Sequence, residues 1–325
     1  MAVYTQLGAE TLAEIIGEFD VGTLISAKGI AEGVSNSNWL IETEGADGTV
    51  TLFILTMYEQ RTDLDDLPFF LGLLDYLAGH GCPVPRTIHD RENRPFRFHD
   101  GKALALIEFL PGVSVTHPTP AQAHAVGAAL AQIHLGAAGF PGKRVNGLGL
   151  SDWRALANEC GAAGLASIDP GLADLVEREL SLLEQHWPHD LPHSVIHADL
   201  FPDNVLMLGD KVSGLIDFYF ACTDITAYDV AVTHAAWCFS SDGASFDPAL
   251  SRALLQGYEE LRPLSENERT ALPILGRGAS IRFLMTRAYD WMNTPADAMV
   301  TRKDPMAFAR RLEFYADPVN AVIFK

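Results

Sequence analysis

Polar and apolar positions in the first 60 residues predict one helix followed by three strands. Apolar residues recur at helical spacing over 9–19, which indicates an amphipathic helix. The runs 22–31, 37–45 and 48–58 are strand-like, and the last of them follows a Gly-Ala-Asp-Gly turn. This part of the chain is therefore predicted to form an antiparallel sheet.

The next fifty residues are predicted to complete this sheet. Leucines spaced three or four apart over 64–74 line one face of a helix, which Gly79 and Gly81 end. Residues 94–112 predict a hairpin that turns at Asp100-Gly101. Residues 1–110 are therefore interpreted as a small N-terminal lobe, mostly antiparallel sheet with one inserted helix.

Beyond residue 110 the pattern is mainly helical. An N-cap side chain directly before a proline favours the start of a helix. Three positions have this arrangement: Thr119, Asp169 and Asp247. Ser265 and Glu268 have the spacing of a capping box and predict a long final helix. The predicted fold class is α+β and bilobal, with residues 111–325 forming a larger, mainly helical C-terminal lobe.

Composition excludes several classes of partner. The chain has 325 residues and a net charge of −19, which argues against a nucleic-acid surface and against an anionic membrane face. Its four cysteines form no CxxC pair, and the first residues lack the pattern of a signal peptide. We therefore expect a cytoplasmic protein without nucleic-acid or membrane partners, and the oligomeric state is left open.

Residues 197–217 place oxygen-bearing side chains in an apolar setting. Two short runs, NVLML and KVSGLIDF, are predicted to form a hairpin turning at Gly209-Asp210. The outer ends of antiparallel strands meet, so Asp199 and Asn204 before the first strand should converge with Asp217 after the second. The oxygens of Asn204 and Asp217 suit Mg²⁺, which also binds phosphate oxygens. Asp199 could accept a proton from an attacking hydroxyl.

The order of these residues matches a known interval. Asp-x-x-x-x-Asn is the spacing of the protein-kinase catalytic loop, in which a metal-binding Asp follows the next strand. The alternative for Asn204 is a plain turn residue after Pro202. His197 is interpreted as a brace for the loop, because the expected metal prefers oxygen. A lone carboxylate inside Ile-Asp-Phe is costly to bury, which favours a functional Asp217.

Longer stretches extend the match along the chain. The segments VIHADLFPDNVL and GLIDFYFACTD, with GVSNSNWLIET, LTMYEQR and FLPG, resemble the aminoglycoside phosphotransferase and choline kinase-like superfamily, and within it the homoserine kinases of the kinase-like type. The resemblance implies transfer of the γ-phosphate of ATP to the hydroxyl of L-homoserine. It also implies that Asp199 is the catalytic base and that Asn204 and Asp217 hold Mg²⁺.

The resemblance further implies a nucleotide site. The turn EGVSNSN would cover the phosphates, and the adenine would contact main-chain groups of the linker. The residues implied are Gly33, Ser35, Asn36 and Ser37 in the turn and Glu108, Phe109 and Leu110 in the linker. Kinases of this shape carry a lysine on the third strand, but this chain has Thr56 there. Lys28 and Arg61 are the candidate substitutes.

The helical lobe is expected to bind the substrate zwitterion, which needs an anion, a cation and a wall that limits size. The preferred residues are Tyr219, Trp237 and Arg282, and the other candidates are Asp224, Arg287, Tyr289 and Asp290. Asp229 is expected to brace the catalytic loop from behind.

Three alternatives stay open. The first is another small-alcohol kinase of the same superfamily that acts on choline, an aminoglycoside or a sugar. The second is a nucleotide-binding pseudoenzyme, which the missing lysine motivates. The third is a metal-dependent hydrolase built on His197, Asp199 and Asp217.

Overall fold

The computed structural model of the chain describes residues 5–30, 36–59, 63–294 and 302–324. It contains two compact units. One comprises residues 1–111 together with 140–142, and the other comprises residues 112–139 and 143–325.

The first unit is an antiparallel sheet with two helices. In chain order its elements are α1 (Ala9–Gly17), β1 (Thr23–Ile30), β2 (Asn36–Glu44), β3 (Val50–Tyr58), α2 (Leu67–Gly79), β4 (Thr87–Ile88), β5 (Arg97–His99) and β6 (Lys102–Glu108). The strands are ordered β1-β2-β3-β6-β4, and β5 pairs with β6. The sequence therefore predicted the three first strands, both helices and the hairpin at Asp100-Gly101 correctly.

A hydrophobic core joins α1 to one face of this sheet. Leu12, Ile16 and Phe19 pack against alternate residues of the central strands, among them Trp39 and Leu55. Since side chains alternate across a strand, the intervening residues of β2 and β3 point to the opposite face. Asn38 and Thr56, which are register partners, lie on that opposite face.

The second unit is mainly helical. Its elements are α3 (Pro120–Gly136), α4 (Leu150–Ile168), α5 (Leu172–His186), β7 (His193–Ile196), β8 (Val205–Leu208), β9 (Lys211–Leu215), β10 (Cys222–Ile225), α6 (Thr226–Trp237), α7 (Pro248–Glu259), α8 (Glu266–Asn293) and α9 (Met306–Ala316). The antiparallel pair β8–β9 is the predicted hairpin, and β7 pairs with β10. No helix of the described residues combines the length and the apolar character needed to cross a membrane.

The caps explain where three of the helices begin. Thr119 and Ser265 make complete capping boxes, and the carboxylate of Asp247 accepts from two N–H groups of α7. The prediction at Asp169 was wrong, because α5 starts at Leu172 and Asp169 instead ends α4, its carboxylate accepting from Gly171. The sequence interpretation also missed α4, α6 and α9 as separate helices.

Candidate active site

The loop after β7 is held from behind by Asp229, in the first turn of α6. Its Oδ2 atom accepts from the backbone N–H of His197 at 2.7 Å, and its Oδ1 atom accepts from that of Ala198 at 2.8 Å. Asp229 is completely buried, so these two bonds are shielded from water. The expectation that Asp229 braces the loop is confirmed.

Ala198 takes a backbone conformation that is rare for a residue with a side chain. Its φ is +65°, in the left-handed region, which costs on the order of 1 kcal/mol or more. The surroundings hold it on both sides: its N–H donates to Asp229, and its carbonyl accepts from the guanidinium of Arg282. This conformation directly precedes Asp199 and so determines where that carboxylate points.

Asp199 and Asn204 are in contact. The Nδ2 atom of Asn204 donates to the backbone carbonyl of Asp199 at 2.8 Å and to its carboxylate at 3.2 Å. With Nδ2 turned toward Asp199, the Oδ1 atom of Asn204 faces away from it. Asn204 therefore aligns the carboxylate with one end of its amide and presents an oxygen with the other.

Asp217 is tied to the same loop through the backbone. The N–H of Ile216 donates to the carbonyl of Asn204 at 3.0 Å, and the ring Nε2 of His197 donates to the carbonyl of Ile216 at 3.0 Å. His197 is fully buried and its Nδ1 atom accepts from the N–H of Asp199, so it braces the loop as predicted. Asp217 itself has a φ of +66°, a second strained position beside the chemistry.

Both acids hold their protons more tightly than an ordinary carboxyl. Burial raises the pKa of Asp199 to about 7; the charge of Arg282 opposes this rise and that of Asp217 adds to it. The protein packed around the Asp217 carboxyl, together with the charge of Asp203, raises the pKa of Asp217 to about 6. Asp217 is nevertheless solvent-exposed, so solvent screens part of this effect.

These groups fit a hard divalent cation. Two carboxylates that repel each other are stabilised by a positive charge between them. Mg²⁺ commonly uses only one or two protein oxygens and takes the rest from waters and phosphates, which matches the Oδ1 atom of Asn204 and the carboxylate of Asp217. The described residues contain no larger cluster of three or more His, Cys, Asp or Glu side chains suited to a metal.

Two cations lie near the loop, and only one of them, Arg287, was a candidate from the sequence. The Nζ atom of Lys303 lies 3.7 Å from Asp203 and 5.8 Å from the ring centre of Phe201. Its positive charge opposes the rise in the pKa values of both Asp199 and Asp217. Arg287, predicted only as a substrate candidate, stacks over Phe308 at 4.5 Å. The segment around Lys303 has no motif or spacing that would have identified it.

The predicted substrate residues differ in their surroundings. Trp237 is 1% exposed and its indole N–H donates to the carbonyl of Leu200, so it has neither surface nor donor to offer a ligand. We correct that prediction: Trp237 packs behind the loop. Arg282 is equally buried and bonded to Ala198, and it is better explained as a loop brace. Tyr219 lies two residues after Asp217 and is half-buried, and its contact with the substrate stays a prediction.

The predicted nucleotide residues lie in the first unit. Gly33 and Ser35 fall outside the described residues. Asn36 and Ser37 are buried at the start of β2, and the hydroxyl of Ser37 donates to Glu59 at 2.8 Å. We therefore correct the prediction for the side chain of Ser37, which stabilises the end of β3 instead of facing a ligand.

Glu108, the first of the predicted linker residues, is hydrogen-bonded within the sheet. The N–H of Glu108 donates to the carbonyl of Arg86 at 2.9 Å, and its carboxylate accepts from the N–H of Arg86 at 3.0 Å. Glu108 thus fastens the end of β6 to the neighbouring segment. Phe109 and Leu110 are half-buried and remain the predicted contacts for the adenine.

Thr56 is buried where other kinases place the lysine. Its hydroxyl donates to Asn38 at 2.8 Å. Lys28 pairs with Leu40 in register, two residues from Asn38, so Lys28 lies on the same face of the sheet as Thr56. Lys28 is exposed, while Arg61, the other proposed substitute, lies outside the described residues.

The fold and the loop geometry define a kinase-like phosphotransferase, and comparison with known proteins agrees. Residues 26–264 match the phosphotransferase enzyme family. The chain belongs to this family. A solved structure of spectinomycin phosphotransferase in complex with ADP and spectinomycin has the same fold, with a TM-score of 0.68, 15% identity and 98% coverage of each chain.

Curated relatives are much more similar in sequence. The homoserine kinase of Azorhizobium caulinodans is 49% identical over 321 residues, which cover 99% of this chain and 98% of the relative. The homoserine kinase of Nitrobacter winogradskyi is 50% identical over 314 residues, covering 97% of this chain and 94% of the relative.

Proposed function

We propose that this protein is an ATP-dependent homoserine kinase, which transfers the γ-phosphate of ATP to the hydroxyl of L-homoserine and releases O-phospho-L-homoserine and ADP. The observation that carries the proposal is the near full-length similarity to curated homoserine kinases. The contact between Asp199 and Asn204 is consistent with it, because protein kinases use an Asp and a metal-binding Asn five residues apart in their catalytic loop.

Asp199 has the central role in this reaction. The hydroxyl oxygen of homoserine forms a bond to the γ-phosphorus, the bond from that phosphorus to the ADP oxygen breaks, and the hydroxyl proton passes to the Asp199 carboxylate. A pKa of about 7 suits this task, because a base works best when its pKa lies near the working pH. Asn204 keeps the carboxylate aligned.

A magnesium ion would be held by the Oδ1 atom of Asn204 and by Asp217. When bound, it neutralises charge on the phosphate oxygens, which is a large part of catalysis in this class of reaction. Asp229, His197 and Arg282 do not touch the reacting atoms in this scheme. They hold the loop, so that Asp199 needs no reorganisation at the moment of transfer.

The acceptor is tested by measuring ADP release with L-homoserine, L-serine, choline and kanamycin at equal concentrations of MgATP. We expect the highest kcat/KM for homoserine, with O-phospho-L-homoserine identified by phosphorus NMR. A higher kcat/KM for any of the other three alcohols would replace the acceptor and leave the phosphotransferase class intact. Binding of ATP without release of ADP would favour the pseudoenzyme.

The same proposal places the enzyme in the cytoplasm, where ATP and amino acids are available, with small molecules as its ligands. Activity without ATP, supported by a transition metal, would instead favour the hydrolase. The carboxylates of Asp199 and Asp217 are hard oxygen ligands of the kind that suit Mg²⁺. Both ring nitrogens of His197 are hydrogen-bonded within the loop, so this histidine is not poised to bind a metal.

A further inference from the structure

A chain of hydrogen bonds extends from Asp229 in α6 through α3 and α7 to Glu268 in α8. The Nε2 atom of His134 in α3 lies 3.1 Å from Oδ2 of Asp229, and its Nδ1 atom lies 2.7 Å from the hydroxyl of Tyr258 in α7. The guanidinium of Arg262 donates to the same hydroxyl at 3.2 Å and to Glu268 at 2.7 Å. Asp229, His134 and Tyr258 are at most 4% exposed, so water cannot easily replace a missing partner.

Two glycines allow this contact between α3 and α7. A methyl group on Gly127 would collide with the backbone of Leu254, and one on Gly257 would collide with that of His124. The two helices can therefore approach backbone to backbone. This approach brings the last turn of α3 close enough to α7 for His134 to reach Tyr258.

The hydrogen bonds in this chain have one consistent direction. Arg262 can only donate, so the oxygen of Tyr258 accepts from it, and the single hydroxyl proton of Tyr258 goes to Nδ1 of His134. In the neutral form of the imidazole, the ring proton is then on Nε2 and is donated to Asp229. Asp229 in turn accepts from the N–H groups of His197 and Ala198, the two residues before Asp199.

We propose that Tyr258 and His134 are positioning residues for phosphoryl transfer, which hold the backbone before Asp199 in place by fixing the tautomer of His134 that donates to Asp229. Without the Tyr258 hydroxyl, the Asp229 carboxylate alone still favours the Nε2–H tautomer. The Nδ1–H form, which turns a ring lone pair toward that carboxylate, then becomes accessible. The brace behind Ala198 loosens, although Tyr258 touches neither substrate nor nucleotide in this scheme. The inference rests on the proposed function, because it assigns catalysis to the Asp199 loop.

The second unit contains a matched control. The hydroxyl of Tyr315 lies 2.6 Å from Nδ1 of His234, whose Nε2 atom lies 2.8 Å from the hydroxyl of Ser251. This pair is also buried, but it ends on Ser251 and not on Asp229. Tyr258→Phe and Tyr315→Phe thus remove the same atom from the same kind of pair. Among the side-chain hydrogen bonds of the described residues, only those of the first pair lead to the catalytic loop.

The experiment measures kcat, both KM values and the thermal midpoint for the two variants. We expect both to lower the midpoint. Tyr258→Phe should also lower kcat by about 10- to 100-fold with both KM values within about twofold, the effect of a misplaced catalytic group. Tyr315→Phe should keep kcat within about twofold. Equal kcat in the two variants, or a rise in KM alone for Tyr258→Phe, would overturn the proposal.

Glutamine at position 134 supplies a second test. Its amide nitrogen takes the place of Nε2 and donates to Asp229 without help from Tyr258, so His134→Gln should keep most of kcat. Adding Tyr258→Phe to His134→Gln should then have no further effect on kcat, and a further loss contradicts the tautomer argument. If the Tyr258→Phe variant does not fold, His134→Asn is measured in its place. The shorter amide of asparagine does not reach Asp229, so kcat should fall relative to His134→Gln.

Nitrogen NMR of His134 separates failure of this inference from failure of the proposed function. The wild-type protein should show the Nε2–H tautomer, and Tyr258→Phe should show a mixture. If no alcohol is phosphorylated, the proposed function is wrong, while the NMR measurement still decides the tautomer. Retention of the pure Nε2–H form in Tyr258→Phe would contradict the proposed role of Tyr258 as a positioning residue.

Discussion

The side-chain amide of Asn204 donates both to the backbone carbonyl and to the carboxylate of Asp199, at 2.8 and 3.2 Å. A single residue therefore closes the loop and aligns its acid. The same amide presents its oxygen on the other side, so that proton acceptance by Asp199 and cation binding by Asn204 are geometrically linked. Three predictions concern this arrangement and the charges around it, and a fourth concerns the stability of the first unit.

Replacing Asp199 with Asn should lower kcat by about 10²- to 10⁴-fold, because the amide cannot accept the hydroxyl proton. Binding of MgATP, measured by calorimetry, should be retained. Asp203→Asn is the control, since Asp203 is an exposed acid in the same loop and should keep kcat within about fivefold. Near-full turnover by a folded Asp199→Asn variant would remove Asp199 from the mechanism.

Asp217→Asn should raise the concentration of Mg²⁺ needed for half-maximal rate by about 10- to 100-fold, because a neutral amide is a weaker ligand than a carboxylate. Chelation of the metal by EDTA should abolish activity in the wild type, and added Mg²⁺ should restore it. Asp210→Asn, in the exposed turn of the β8–β9 hairpin, should leave the magnesium titration unchanged. An unaltered titration in Asp217→Asn would argue that Asp217 does not hold the metal.

Lys303→Met should lower kcat/KM for MgATP by about 3- to 10-fold, because the variant removes a positive charge close to the acids of the site. The expected loss is modest, since Lys303 is exposed and surface charges act weakly. Arg302→Met is a matched control: Arg302 donates to the carbonyl of Trp291 and stacks on that ring. Equal kcat/KM values for the two variants would exclude a contribution of Lys303.

The stability of the first unit should depend on Asp90 in acid. Burial raises the pKa of Asp90, but hydrogen bonds from Arg94, the N–H of Glu92 and Arg97 outweigh it and lower the pKa to about 2. A lowered pKa stabilises the fold above about pH 4, and this stabilisation is lost as the pH falls toward 2. Asp90→Asn should therefore lower the free energy of unfolding at pH 7 by about 1–2 kcal/mol.

Urea unfolding at several pH values measures this effect. The difference between wild type and Asp90→Asn should shrink below pH 4 and vanish only below pH 2, where the Asp90 carboxyl is protonated in the folded protein as well. Asp100→Asn, at an exposed turn whose φ of +48° asparagine tolerates, should change stability little at any pH. A constant difference across this pH range would show that charge is not the cause.

Much of the architecture could be predicted from local pattern. The strands of the first unit, the β8–β9 hairpin and the helix starts at Thr119 and Ser265 depend on periodicity, turn chemistry and capping within a few residues. The prediction at Asp169 failed because the same Asp-Pro pair can end one helix and turn the chain before the next. The carboxylate of Asp169 accepts from the N–H of Gly171 in an Asx turn and does not cap the first turn of α5.

The order of Asp199, Asn204 and Asp217 along the chain was enough to indicate the reaction class, because their convergence needs only one short hairpin. The sequence by itself determined this much, since local spacing sets the turn, the strand ends and the caps. Which partners hold the loop was decided by the tertiary structure alone. Arg282 reaches Ala198 across 84 positions and His134 reaches Asp229 across 95, and such contacts depend on how the helices pack. The sequence alone could not show that Trp237 is buried behind the loop and has no surface for a substrate. It also could not show that the exposed Lys303 lies beside the site, because burial and proximity are properties of the whole fold.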